Sequence, residues 1–451
     1  MTCSCSRRSF LQLGALAGAA LLARPALATP SSTAVQPTLR PFAAPRVGGL
    51  SVLAGSLHDH STDSDGDAPS ELVAAYVRAH AREMGLDFLS LTEHSDLFPA
   101  SPAGADPWGR SGSVCAQFTG DGFAFLRGFE WTNDQQNHLN VIGSAGWVRR
   151  DESFTMAPFW QWMSTDPGLV PSSLTPSIGG ADGIGQFNHP SSKGPLNWDD
   201  YAFHAGAARR MATIEIRERA AGWYWFALSR GWTVGPVMNG DFHPWAGSGQ
   251  LANATPGVGS QYPGMRTLVV AQDASPAALL DALAQRRTSA SEQPDLWATL
   301  RTRDDAWMGS TVVAEPGERI RLVIDAGTAS SRIAQVSLVQ DTPFDDVATA
   351  HYFGDNEVGI KSQHTAAYVE QRRRYQASGG RATFKGGQDA PPPGAVVETR
   401  SWETGERTTQ VKWTVPSTPS PRPDGAHWVY AVVTREDGAR VTTAPILVTT
   451  G

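Results

Sequence analysis

His58-Asp59-His60 is the first segment whose spacing suggests chemistry. In an extended strand, residues i and i+2 point the same way, so both imidazoles face one site. Asp65 follows in Ser64-Asp65-Gly66, with Asp63 and Asp67 flanking it as alternative carboxylates. Further on come Glu93-His94, Glu130, His138, His189 and, again at i, i+2 spacing, Asp241 and His243. Imidazole plus carboxylate, with no Cys among the donors, suits Zn, Mn or Fe, and a set this large can hold two or three ions. Such ions acidify bound water and make hydroxide available near neutral pH. No Gly-x-Ser-x-Gly elbow is present to argue for a Ser nucleophile instead. A lone His at a strand end is usually an ordinary polar group, and one His-x-His decides little. It is the joint pattern that argues for a metal site.

Nearly all these donors fall just after short apolar runs. The runs are Leu50–Leu57, Leu86–Leu91, Phe123–Phe129, Leu139–Gly143, Ile184–Asn188, Thr213–Ile216, Thr233–Met238 and Thr267–Ala271. Ala68-Pro69-Ser70-Glu71 opens a helix between the first two, with Leu72, Val73, Tyr76 and Ala79 as its apolar face and Gly85 as its stop. Strand–helix–strand rhythm argues for an α/β barrel or a doubly wound sheet. The carboxyl ends of parallel strands converge on one face, which would bring these distant residues together. Residues 144–182 break the rhythm with a long loop holding one short helix around Phe159-Trp160-Gln161-Trp162. After about Asp305 the runs Ile320–Ile324, Ala334–Val339, Thr409–Val415, Trp428–Val433 and Val441–Val448 are β-like, with a hairpin turn at Glu436-Asp437-Gly438. They predict a small β-sandwich. Residues 365–376 fit helix or strand equally.

The N-terminus reads as an address. Ser6-Arg7-Arg8-Ser9-Phe10-Leu11, the apolar stretch Leu11–Ala23 and Ala26-Leu27-Ala28 form a twin-arginine signal peptide over residues 1–28. That predicts export of the folded protein to the periplasm or the extracellular space, and cleavage leaves Cys115 as the sole thiol. Residues 29–47 read as a linker, 48–304 as the metal-dependent hydrolase domain and 305–451 as the sandwich. No later segment reads as a transmembrane helix. The chain has 451 residues, 41% hydrophobic and 18% charged, which excludes a disordered protein. Its 37 Lys and Arg face 44 Asp and Glu with no long basic run, so nucleic acid is not expected as a partner.

These motifs resemble those of the polymerase-and-histidinol-phosphatase superfamily of metallohydrolases. Leu57-His58-Asp59-His60-Ser61-Thr62-Asp63-Ser64-Asp65-Gly66 looks like its first motif, and Gly85-Leu86-Asp87 through Leu91-Thr92-Glu93-His94 like its second. Gly128-Phe129-Glu130, His138-Leu139-Asn140, Asn188-His189-Pro190 and Gly240-Asp241-Phe242-His243 look like the later ones. The resemblance spans about residues 50–290. It implies a distorted seven-stranded (β/α) barrel with a metal cluster, commonly trinuclear, at its carboxyl face. The implied ligands are His58, His60, Asp65, His94, Glu130, His138, His189, Asp241 and His243, with Glu130 bridging. Glu93 stands where the family usually has Asp, and Asp65 where some members have His. Ala282-Leu283-Ala284-Gln285-Arg286-Arg287-Thr288, with Asp437-Gly438 and Thr443-Ala444-Pro445-Ile446, further resembles a secreted branch that includes carbaryl-hydrolase-type enzymes.

The expected activity is metal-dependent phosphoester hydrolysis of a small molecule, headgroup or sugar. Hydrolysis of carboxyl or carbamate esters on the same metals is the alternative, followed by non-catalytic sugar or surface binding. Glu130, His189 and His243 are the expected catalytic residues, with a proton for the leaving oxygen from His189, His243 or bound water. Lys193, Arg217, Trp131 and Trp245 are candidate substrate contacts, and Glu215 and Asn188 candidate supports behind the ligands. An aromatic wall is expected around the site, because ten of the 15 Trp fall between Trp108 and Trp245. A chain ending near Asp304 is expected to keep its metal.

Overall fold

The computed structural model describes residues 44–98, 105–133, 136–149, 155–169, 173–190, 197–216, 221–243, 264–341, 396–402 and 405–450. The signal peptide, the linker as far as residue 43, residues 365–376, Lys193, Arg217 and Trp245 lie outside them.

β1 (Arg46–Val47) folds back on β2 (Leu50–Asp59) through Gly48 and Gly49, whose φ values of 55° and 82° only Gly adopts readily. β2 pairs in parallel with β3 (Phe88–His94), and β3 with β4 (Ala124–Trp131). β5 (Leu139–Ile142) runs antiparallel to both β4 and β6 (Ile184–Phe187). β6, β7 (Met211–Glu215) and β8 (Gly235–Val237) are again parallel. Just beyond β8, Phe242 forms a parallel bridge to Asp59, and its carbonyl accepts from the His60 N–H at 2.9 Å. The last strand of this run therefore reaches back to the first. β3 to β8 are short apolar runs buried along nearly their whole length, as expected of strands covered on both faces.

Among the described residues, helices are fewer than a strict strand–helix alternation needs. α1 (Ser70–Met84) starts after Pro69 and stops at Gly85, whose φ of 65° lets its N–H close onto the Ala81 and Arg82 carbonyls. Its buried face is Val73, Ala74, Val77, Ala81 and Met84, whereas Leu72 is 48% exposed. The buried stripe is thus rotated from the expected one, with Ala74 and Ala81 in it and Leu72 and Ala79 outside. α2 (Pro107–Phe118) and α3 (Ala157–Ser164) follow, α3 at the expected aromatic segment. α4 (Asn197–Tyr201) and α5 (Ala205–Ala208) are single turns, followed by α6 (Ala221–Ser229) and α7 (Pro276–Ala284). The architecture is mixed α/β, dominated by sheet.

On its other edge β2 pairs antiparallel with β9 (Arg266–Ala271), and β9 with β10 (Thr288–Ser291). From β10 the same sheet continues into the C-terminal third. β11 (Trp297–Thr302), β12 (Thr311–Val313), β13 (Arg319–Thr328) and β14 (Ile333–Gln340) come next in the chain. They are followed by β15 (Val396–Trp402), β16 (Gly405–Thr414), β17 (His427–Arg435), β18 (Arg440–Thr443) and β19 (Ile446–Thr449). β18 pairs with β10, β17 with β18, β19 and β14, and β12 with β19. β11, β13 and β16 form a separate sheet across the apolar interior. That interior joins Leu322, Ile324, Val411 and Trp413 to Val429, Val433 and Val441, and also to Val52, Ala54, Leu268 and Val270 of the N-terminal strands. The described residues of the C-terminal third are thus mostly β-strand, in two sheets. This β-structure begins at β10, ahead of Asp304, and shares a core with β2 and β9.

Candidate metal centre

All nine expected donors converge. His58 and His60 leave the end of β2, His94 ends β3, and Glu130 lies one residue from the end of β4. His138 precedes β5, His189 follows β6, and Asp241 and His243 follow β8. The donor atoms form four overlapping sets, each lying within 4.8 Å of one another: His60, Asp65, His94 and His243; His58, His60 and Asp241; His58, Glu130 and His189; His94, Glu130 and His138. Glu130 belongs to two sets, with Oε1 3.2 Å from His58 Nε2 and 3.0 Å from His138 Nδ1, and Oε2 3.0 Å from His94 Nδ1. Asp241 Oδ1 lies 3.2 Å from both His58 Nε2 and His60 Nε2. Asp65 is the carboxylate of its loop that joins the cluster, 3.1 Å from His243 Nε2. Asp63 instead pairs with Arg110 at 2.6 Å and accepts from Ser70 at 2.8 Å.

Two buried nitrogens test whether a metal fits. His58 Nε2 and His60 Nε2 make no hydrogen bond despite carboxylate oxygens near 3.2 Å. Unaligned lone pairs and carboxylates at that range are what a shared cation satisfies. The donor set of imidazoles and carboxylates suits Zn, Mn or Fe. His189 and Asp241 sit at φ 31° and 51°, strained values for such residues, so the fold spends roughly 1–3 kcal/mol apiece to aim them.

Electrostatics agree with a cation site. Burial alone would lower the His58 pKa, but Asp241, Glu130 and Glu215 outweigh it and hold it well above the usual value. Burial likewise opposes, without prevailing, at Glu130 and Asp241, which the surrounding imidazoles keep well below the usual carboxylate range. His60, by contrast, is pushed down to about 4 by burial, leaving a neutral imidazole with a free lone pair. At the half-open side burial is again overcome: Asp65 falls to about 2, and His243, bonded to it, rises to about 9. Protons therefore occupy part of the charge balance that divalent ions would otherwise supply.

Behind the donors stands a buried layer of polar groups. The Glu215 carboxylate accepts from His58 Nδ1, the His189 N–H and Asn239 Nδ2, each at 2.9 Å. Asn188 Nδ2 donates to Glu130 Oε1 at 2.8 Å and to Asn140 Oδ1 at 2.7 Å. Glu93 accepts from the Ser61 and Ser64 hydroxyls at 2.6 Å, bracing the loop that carries Asp65. Burial raises its carboxyl to about 7. Thr132 Oγ1 lies 2.5 Å from His94 Nδ1. Glu215, Asn188 and Glu93 carried sequence signals. Asn140 closes the His138-Leu139-Asn140 motif, whereas Thr132 and Asn239 carried no signal, although each lies within two residues of a donor.

The expected aromatic wall is not built among the described residues. Trp108, Trp131, Trp147, Trp160, Trp162, Trp198, Trp223, Trp225 and Trp232 are all buried. Trp131 is 1% exposed, with its ring 4.7 Å from Phe159, so it packs the core beneath the site. Lys193, Arg217 and Trp245 lie outside the described residues. The donors themselves reach the surface through Asp65, His243, Asp241, His189 and His138.

No family model and no curated protein matches the chain. Among solved structures it is similar to a two-domain protein from Bacteroides vulgatus containing a predicted PHP-like metal-dependent phosphoesterase. The identity is 14%, covering 92% of this chain and 100% of that one, with a TM-score of 0.40. It is also similar to a lytic polysaccharide monooxygenase from Streptomyces lividans, at 14% identity over 32% of this chain and 60% of that one, TM-score 0.16. A sporulation control protein from Bacillus subtilis follows at 10% identity over 35% and 50%, TM-score 0.19. Such TM-scores establish neither fold nor function.

Proposed function

We propose that this protein is an exported metal-dependent hydrolase that cleaves phosphoesters at a site of the polymerase-and-histidinol-phosphatase type. The observation that carries this reading is the convergence of nine imidazole and carboxylate donors from seven separate places in the chain. We read β2 to β8 as the distorted seven-stranded barrel that the motifs imply, with the Asp59–Phe242 bridge as its seam. His58, His60, Asp65, His94, Glu130, His138, His189, Asp241 and His243 would hold two or three ions of Mn, Zn or Fe. Bound there, such ions would supply Lewis acidity toward a phosphoryl oxygen and a more acidic water.

The chain's own groups do the rest. Glu130 contributes both oxygens between neighbouring imidazoles. Glu215 fixes the His58 tautomer by accepting from Nδ1, which turns Nε2 toward the centre. His189 and His243 sit on the open side, where either of them, if its imidazole is not engaged by an ion, or else bound water, would offer the proton that a leaving oxygen needs. Trp131, buried, has no part in substrate contact in this account. Lys193, Arg217 and Trp245 remain candidate contacts for the anionic or aryl part of the substrate. The twin-arginine segment supports export after folding and metal loading, to the periplasm or beyond.

The stretches resembling the carbaryl-hydrolase-type branch meet where Ala444 N–H donates to Thr288 O at 2.9 Å, within the pairing of β10 and β18. Neither supplies a donor to the cluster, so that resemblance does not set the bond cleaved. Aryl phosphate, aryl phosphodiester, aryl carboxylate ester and aryl carbamate, each assayed with added Mn or Zn, test the proposal. Turnover of phosphoesters alone supports it. Turnover of the carboxylate ester or carbamate alone moves the protein to the other ester class, and none at all favours a binding role.

A further inference from the structure

The outer face of the three-stranded sheet carries a row of cations that the metal centre does not use. Arg319 and Arg321 alternate along β13 with inward-facing positions, so they stand opposite the buried Leu322 and Ile324. Arg321 is directly across from Lys412 on β16. On its other side the Arg303 N–H, just past β11, donates to Arg321 O at 2.8 Å. All four cations are exposed. None makes an ion pair among the described residues, whereas their neighbour Arg301 is held 2.8 Å from Asp305. Like charges facing each other on adjacent strands destabilise a sheet. This row stands in a chain with a net charge of -7. A concavity of about 410 Å³ opens here, lined by Arg303, Arg319, Arg321, Asp304, Glu318 and Val313, within the size of a small-molecule site.

We propose that this face is a second ligand site, sharing no residue with the metal centre, for a compact polyanion bearing two or more phosphate or sulfate groups. The backbones that carry these cations stand about 4.8 Å apart between adjacent strands and about 6.7 Å apart at i, i+2 along one strand. That spacing suits successive oxyanion groups of one molecule. Each guanidinium fork grips two oxygens of such a group. The site stands independently of the hydrolase reading.

Calorimetric titration of the full-length, metal-loaded protein with inorganic tripolyphosphate, and separately with sucrose octasulfate, tests this. Wild type should show a saturable event that weakens with added salt. In Arg303→Gln/Arg321→Gln, and in Arg319→Gln, that event should weaken about tenfold or more with metal content unchanged. Tripolyphosphate alone defines a phosphate site, octasulfate alone a sulfate site, and either supports the proposal. Equal binding of both probes by wild type and variants, or no saturable event, overturns it. Binding to phosphatidylglycerol vesicles that neither probe displaces also overturns it, making the face a membrane contact instead.

Discussion

Glu215→Gln isolates the buried layer from the donors themselves. The side chain keeps its size, loses its charge and exchanges one acceptor oxygen for an NH2. Its hydrogen bonds among the described residues all come from donors: His58 Nδ1, Asn239 Nδ2 and the His189 N–H at 2.9 Å, and Gln186 Nε2 at 3.3 Å. Oε1 accepts three of these and Oε2 accepts the His189 N–H. The less damaging orientation therefore sets the new NH2 against His189, whose φ of 31° that bond helps to hold. A hydrogen bond to a charged group contributes about 1.5–3 kcal/mol. Changes to partners of metal-ligating His typically cost about 10–100-fold in metal affinity, or roughly 1.4–2.7 kcal/mol. Affinity is read by competition with a chromogenic chelator, with near-UV circular dichroism to establish that the variant is folded. A folded variant that binds Zn or Mn within about twofold of wild type would refute the argument that Glu215 aims two of the ligands.

Glu130→Ala and His58→Ala should each abolish hydrolysis in a folded chain; residual activity within about tenfold, about 1.4 kcal/mol, would show that neither is a ligand. Metal added to the metal-free protein in weakly buffered solution near neutral pH should release protons, because the His243 imidazole, at about 9, is charged there and must be neutral to bind. The release should shrink as the pH climbs through about 9. By the same sign, the His243–Asp65 contribution to the metal-free fold is present below the ordinary value of 6.5 and fades as the pH rises through about 9. A chain cut after Asp304 should fail to fold, since it loses the partners of Val52, Ala54, Leu268 and Val270 and the strand paired to β10. A soluble, cooperatively melting product would contradict the shared core.

Most donors were legible because they stand at the end of a short apolar run, with His138 at the start of one, and the signal survives whatever the strands do between sites. His58 and His60 needed the two-residue period, and Asp241 and His243 repeated it. Pairing was not legible. Nothing in Leu139–Gly143 announces that β5 lies antiparallel to both neighbours, because a four-residue apolar strand reads the same in either direction. The continuity of β10 with β18 was hidden for a similar reason. Ser289 and Ser291 are buried by position, not by hydrophobicity, so no apolar run marks that strand. Trp131 misled because proximity to Glu130 in sequence places it on the opposite face of β4, toward Phe159.

Metal content tests the central claim most directly. Protein purified gently, without chelators, and then incubated with Mn or Zn should carry about two to three ions per chain by elemental analysis. His60→Ala, which removes a donor common to two of the four sets, should lower that number. Less than one ion per chain, with none taken up on incubation, would contradict the account, since nine converging donors would then be a polar network without a metal.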